Sequence, residues 1–122
     1  MRDASPTLQS HAILILDDDP LVRRAFGRAL RALGALVIEA DTILAADAAL
    51  GTTEFHVILC DLHLTPPDRG DQYLKLVEKR WPKMRRVLCT SDTRSAARCA
   101  DAYVDKPCSV AELLQAIAPN DK

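Results

Sequence analysis

Carboxylates, a hydroxyl and an ammonium recur in this chain directly after short apolar runs. Asp17, Asp18 and Asp19 follow the run at residues 12–16, and Asp61 follows 57–60. Thr90-Ser91-Asp92 follows 87–89, and Asp105-Lys106-Pro107 follows 102–104. Each cluster is ordinary by itself. An acidic residue after a strand often caps the next helix, the role expected of Asp19, and Lys-Pro ahead of a helix is common turn chemistry. Taken together they make a different set. Clustered carboxylates repel and are costly to hold ionised without a counter-charge. A hard divalent cation such as Mg2+ supplies that charge and keeps positions for water and phosphate oxygens. The Thr90 hydroxyl can then donate to one phosphoryl oxygen while the Lys106 ammonium neutralises another. Such a set suits phosphoryl transfer onto a carboxylate nucleophile.

That chemistry requires the four places to converge, and the order of elements brings them to one edge. Residues 12–16, 35–38, 57–60, 87–89 and 102–104 read as strands, short and mostly continuously apolar, as strands covered on both faces are. Helical patterns lie between them. Leu21, Val22, Ala25, Phe26, Ala29, Leu30 and Leu33 form one apolar stripe, with Asp19 as cap, Pro20 in the first turn and Gly34 at the end. A second helix is expected from Asp41 or Thr42 to Leu50, stopping at Gly51. A third places Tyr73, Leu74, Val77 and Trp81 on one side and ends at Pro82. The last carries Val110, Leu113, Leu114 and Ile117, with capping-box spacing between Ser109 and Glu112.

This β-α alternation implies an α/β fold, a doubly wound parallel sheet with right-handed crossovers and helices on both faces. In open sheets of this kind ligands sit beyond the carboxyl ends of the strands, where all four clusters fall. One crossover is tight. Residues 91–102 leave room only for a short fourth helix within 92–99, and Ala96, Ala97 and Ala100 would bury little surface there.

Composition excludes several other classes. A length of 122 residues is one domain, enough to bury a core without a metal or a disulfide. The 16 Lys and Arg balance 17 Asp and Glu, a net charge of −1, which argues against a dedicated nucleic-acid surface. Cys60, Cys89, Cys99 and Cys108 contain no CxxC pair, so reduced cytoplasmic thiols are expected rather than a zinc site or disulfide framework. No apolar stretch approaches membrane-spanning length, and the polar start, MRDASPTLQSH, does not read as a secretory signal. Residues 1–10 are expected to be a loose leader, 11–118 the folded domain and 119–122 a tail.

The chain resembles a response-regulator receiver domain of two-component signalling. The resemblance rests on ILILDDDPLVRR, VILCDLHLTPPDRG, VLCTSD and AYVDKP, and spans residues 11–118. It implies a flavodoxin-like five-stranded parallel sheet of order 2-1-3-4-5. It also implies a cytoplasmic domain that takes a phosphoryl group from a histidine kinase, a phosphotransfer protein or a small phosphodonor. Such a domain signals to a downstream protein by contact, as a monomer or weak dimer, with no membrane or direct nucleic-acid binding. It is no enzyme beyond its own phosphorylation and dephosphorylation.

Matched position by position, the resemblance makes Asp61 the phosphoacceptor. Asp17 and Asp18 become the Mg2+-binding acidic pair, completed by Asp61 and the backbone carbonyl of His63. Thr90 is the switch hydroxyl, Tyr103 the aromatic that rotates with it, and Lys106 the phosphate-binding lysine, with the Lys106–Pro107 peptide cis. There are three departures. Thr65, followed by Pro66 and Pro67, stands where the family usually has Pro, in a loop to Gly70 that is slightly long. Cys108 replaces a usual aromatic. The fourth helix is short. The last two fall on the surface through which the family signals.

Two other readings stay open. One is a receiver-like binding module that phosphorylation does not regulate. The other is a haloacid-dehalogenase-type phosphohydrolase with Asp17-x-Asp19 as its DxD, disfavoured by Leu21 at the place where that family carries Thr or Val. The Arg23-Arg24 and Arg85-Arg86 pairs read as solvated charge, His11 and His56 as polar strand edges, His63 as a solvated loop residue and Trp81 as core.

Overall fold

Apolar runs and amphipathic segments alternate in the computed structural model as the pattern requires; it describes residues 8–91 and 98–119. The order is β1 (Ala12–Leu16), α1 (Pro20–Ala32), β2 (Leu36–Ala40), α2 (Ile43–Thr52), β3 (Val57–Asp61), α3 (Gly70–Arg80), β4 (Arg85–Thr90), β5 (Ala102–Asp105) and α4 (Val110–Ile117). All strand pairs are parallel, in the order β2-β1-β3-β4-β5. The sheet is the five-stranded flavodoxin-like one.

Alternate residues of each strand feed two cores. Ile13, Ile15, Leu59, Val87 and Val104 meet Leu30 of α1 and Leu113 and Ile117 of α4. Leu14, Leu16, Ile58 and Leu88 meet Ala46 and Leu50 of α2 and Leu74 and Val77 of α3. Every residue of β1 and β3 is buried because helices cover both faces of the centre. The edge strand β2 alternates instead. It starts at Leu36 rather than residue 35, and Leu36 and Ile38 face solvent.

Helix ends follow local chemistry. The Asp19 carboxylate accepts from the Leu21 N–H at 2.9 Å, and Gly34 takes φ 100°, the left-handed turn that glycine tolerates. The capping box of Ser109 and Glu112 forms. Helix α2 runs through Gly51 to Thr52 rather than stopping at the glycine, which weakens a helix without breaking it. The stripes are narrower than expected. Leu21 is 77% exposed, and Ala25 and Val110 also face solvent. Leu21 and Val110 lie in first turns, past the carboxyl ends of the strands, where no sheet runs beneath them.

Three other expectations need correction. The loose leader does not extend to Leu8, which is fully buried against α1 and donates its N–H to the Leu33 carbonyl at 2.7 Å. The arginine pairs are not simply solvated. Buried Arg86 donates to the Cys99 carbonyl at 2.6 Å and pairs with Asp101 and Glu78. Arg85 donates to the Ala116 carbonyl, and Arg23 to the Asp17 carbonyl. His56 is more than an edge, because its Nδ1 accepts from the Ala12 N–H at 2.9 Å and its ring lies 5.7 Å from that of His11. Trp81 is half-buried against the core, under the Arg80 guanidinium.

The short fourth helix expected within 92–99, with Ala96 and Ala97, lies largely outside the described residues; Cys99 is buried and Ala100 half-buried against the α2–α3 core. Among the described residues no helix is long and apolar enough to cross a membrane. If Leu8 is core rather than leader, Leu8→Ala should destabilise the chain by about 2–4 kcal/mol. Urea denaturation checks this, and a loss below about 0.5 kcal/mol would return Leu8 to the leader.

Candidate functional site

Three strands deliver the charged groups to one place. Asp17 follows β1, and its N–H still donates to the Ala40 carbonyl of β2 at 3.1 Å. Its Oδ1 accepts from the Asp19 N–H at 2.9 Å. Asp61 is the last residue of β3. Lys106 follows β5, held there by its own N–H on the Thr90 carbonyl at 3.0 Å. From that anchor the Lys106 ammonium reaches Asp17 Oδ2 at 2.8 Å and Asp61 Oδ1 at 3.0 Å. Asp18 joins from the neighbouring position, its Oδ2 accepting from the Thr65 hydroxyl at 3.1 Å.

One ligand atom each of Asp17, Asp18 and Asp61 lies within 4.8 Å of the others. Oxygens bound to one Mg2+ at about 2.1 Å stand at most about 4.2 Å apart, so small side-chain turns close this set round a single ion. Three carboxylates against one ammonium also leave two negative charges in excess, which one divalent cation cancels. The donor set therefore fits Mg2+.

Burial sets the protonation of the site. It pushes the Asp61 carboxyl above the ordinary carboxylate range, against the opposing pull of Lys106, and Asp17 and Asp18 push it the same way. Burial lowers the Lys106 ammonium, but its bonds to Asp17 and Asp61 outweigh this and leave it raised. The cation is thus fixed as a cation, while added positive charge favours the ionised form of Asp61.

The remaining expected residues stand as follows. Thr90 is buried at the end of β4, opposite Asp105 and one step past Cys89, the partner of Asp61. Tyr103 is 37% exposed, and its hydroxyl accepts from the Cys99 and Ala100 N–H groups at 2.7 and 3.1 Å. His63 is exposed, with its backbone bridged to Arg69. The Lys106–Pro107 peptide is cis, and so is Pro66–Pro67.

Two contributions lay beyond sequence reasoning. One is the Thr65 hydroxyl on Asp18. The other is Gly70, whose N–H donates to the Leu62 carbonyl at 2.8 Å. A Cβ there would lie 1.8 Å from the Asp61 carbonyl oxygen and 2.9 Å from Cys60 Sγ, so only glycine lets α3 start this close behind Asp61. The glycine stood in the quoted motif, but no local signal told what it approaches.

Comparison with known proteins bears on the family and the fold. A family profile described as "Response regulator receiver domain" matches residues 13–118. No protein in a curated set matches. Similar solved structures include a CheY-like response regulator receiver domain protein from Methanospirillum hungatei JF-1. It shares 28% identity at TM-score 0.77, covering 93% of this chain and 91% of that one. A BeF3-activated DrrB receiver domain is 27% identical at TM-score 0.71, covering 88% and 92%. A response regulator from Burkholderia pseudomallei, solved with a phosphorylated aspartic acid, calcium ion and citrate, is 26% identical at TM-score 0.76. That match covers 88% of this chain and 66% of the other.

Two outcomes follow for the site. Gly70→Ala should cost about 3 kcal/mol or more, since backbone atoms rather than a flexible side chain must yield; a loss under about 1 kcal/mol in urea denaturation would contradict the close approach. For Asp61, a raised folded pKa means that the folded chain keeps a proton the unfolded chain has released. Stability from this group is therefore present below about pH 4 and is lost as pH rises. Asp61→Asn should then match or exceed wild-type stability at pH 7, with the advantage shrinking towards pH 4. Denaturation at both values measures it, and an advantage that grows on acidification would show the sign to be wrong.

Proposed function

Because the chain belongs to the response regulator receiver family, we propose that it accepts one phosphoryl group on Asp61 and signals by protein contact. The observation that carries this reading is the Lys106 ammonium between Asp17 and Asp61, inside a carboxylate cluster that fits a divalent cation. An oxygen of the Asp61 carboxylate forms the new bond to phosphorus. The bond from phosphorus to the donor breaks, and its electron pair leaves with the donor, a histidine ring or a carboxylate. Asp17, Asp18, Asp61 and the His63 carbonyl would hold Mg2+, which when bound supplies positive charge against the phosphoryl oxygens. Lys106, already 3.0 Å from Asp61 Oδ1, would follow charge as it moves from Asp61 to the phosphoryl group. The Thr90 hydroxyl, at the neighbouring strand end, donates to another. The phosphorylated aspartic acid of the Burkholderia pseudomallei relative supports the same assignment by likeness.

The outgoing signal runs through Thr90 and Tyr103. As Thr90 moves toward the phosphoryl group, Tyr103 moves behind it and gives up the Cys99 and Ala100 N–H groups that its hydroxyl now accepts from. The surface at residues 98–101 then differs between the two states, and a protein partner reads it, with Arg98 as a charged contact. The donor in the cell is a histidine kinase or phosphotransfer protein, in a cytoplasmic setting, with the chain acting as monomer or weak dimer.

Intact mass after incubation with Mg2+ and acetyl phosphate tests the proposal. One added phosphoryl group is expected in the wild type, none in Asp61→Asn and none in EDTA. A group that persists in Asp61→Asn but vanishes in Asp17→Asn would favour dehalogenase-type chemistry. No addition to the wild type would favour a receiver-like binding module.

A further inference from the structure

We infer that Thr65 is a positioning residue for Asp18, holding that carboxylate at the cation site through the hydrogen bond from its hydroxyl; the inference rests on the Mg2+ reading of the site given above. The three clustered carboxylates are not equally held. Asp17 and Asp61 share the Lys106 ammonium, and Asp17 also accepts from the Asp19 N–H. Asp18 forms no ion pair among the described residues. Its carboxylate is steadied by Thr65 Oγ1, which donates to Oδ2 at 3.1 Å. An aspartate side chain turns about two bonds, and the repulsion of its two neighbours favours orientations that swing it into water, away from the cluster. A donor on one carboxylate oxygen opposes that swing and leaves the other oxygen to a cation.

The donor is itself well anchored, which separates Thr65 from an ordinary surface threonine. Leu64 beside it is buried in the α2–α3 core. The Thr65 carbonyl accepts from the Asp68 N–H at 3.1 Å, closing a turn over the two prolines. The loop is closed again by the Gly70 N–H on the Leu62 carbonyl at 2.8 Å and by the His63–Arg69 bridge. The backbone of Thr65 is therefore fixed on both sides before any cation arrives, and its hydroxyl reaches Asp18 across 47 positions of sequence with little further ordering to lose. Groups outside the ligand shell that orient a ligating carboxylate strengthen metal binding in this way.

Calorimetric titration with Mg2+ is the test, applied to the wild type, Thr65→Val, Thr65→Ala and Thr65→Ser. Valine keeps the shape and removes only the hydroxyl; alanine is the second variant should valine fit badly, and serine restores the donor. Mg2+ binding should weaken about threefold to tenfold in Thr65→Val and Thr65→Ala and return to within about twofold of wild type in Thr65→Ser. The melting temperature in EDTA should be nearly the same for all four, since the effect lies in the ligand's orientation and not in the fold. Equal Mg2+ affinity in wild type and Thr65→Val or Thr65→Ala, or tighter binding in either, overturns this inference alone. A serine variant as weak as alanine also overturns it, because the hydroxyl would then not be the cause. A wild type that binds no Mg2+ overturns the metal reading and this inference with it.

Discussion

The contact between the Lys106 ammonium and the carboxylates of Asp17 and Asp61 is the constraint on which the site is built. It joins the ends of β1, β3 and β5, although β4 lies between β3 and β5 in the sheet. Two carboxylates this close, with Asp17 buried and Asp61 only 9% exposed, would otherwise repel each other and turn away. The ammonium lets them stay together but does not neutralise the cluster, because Asp18 brings a third negative charge. The fold thus holds an arrangement that is stable enough to exist and still short of positive charge. That shortage makes it receptive to a divalent cation.

The rest of the architecture keeps this arrangement at one end of the sheet. The strand centres carry only apolar side chains into two covered cores, so polar residues collect where the strands run out. At the amino end the chain closes on itself through different means. His56 accepts from the first N–H of β1, and Arg86 ties β4 to the Cys99 carbonyl and to Asp101. At the carboxyl end the polar groups of Asp17, Asp61 and Lys106 face one another. Gly70 is the clearest sign of how close these loops come, since nothing larger than hydrogen fits between α3 and the Asp61 carbonyl. The two ends divide the labour: one secures the sheet and the other leaves its charges available.

What could be read from sequence was what local pattern encodes. Five apolar runs, the cap at Asp19, the capping box at Ser109 and the placement of Asp17, Asp61, Thr90 and Lys106 at strand ends all depend on neighbours in the chain. The strand order came from likeness to a family, since periodicity does not say which strand lies beside which. The misreadings share a physical origin. Arg86 looks like solvated charge until its partners, 13 and 15 positions away, are in place. A stripe tells which side chains share a face, not how far the sheet extends beneath them, so Leu21 and Val110 were assigned to a core they overhang. Leu8 lies ahead of any periodic segment, and only its packing in the core that holds Leu30 of α1 reveals it. Thr65 was visible as an unusual residue, but its hydroxyl finds Asp18 only in three dimensions.

Residues 98–101 are held from two directions. Arg86 holds the stretch from the carbonyl side, at Cys99, while the Tyr103 hydroxyl holds it from the N–H side, at Cys99 and Ala100. One peptide segment is therefore gripped by a buried cation on β4 and an exposed aromatic on β5. The grips differ in how easily they open. Arg86 is buried and ion-paired on two sides, so its release would strand a charge in the core. Tyr103 lies partly in water, and both N–H groups it leaves can be taken up by solvent at small net cost. If the sheet's carboxyl edge draws on Tyr103, the segment loses its upper hold and keeps its lower one. It can then rearrange locally while β4 and β5 stay paired, without loosening the core.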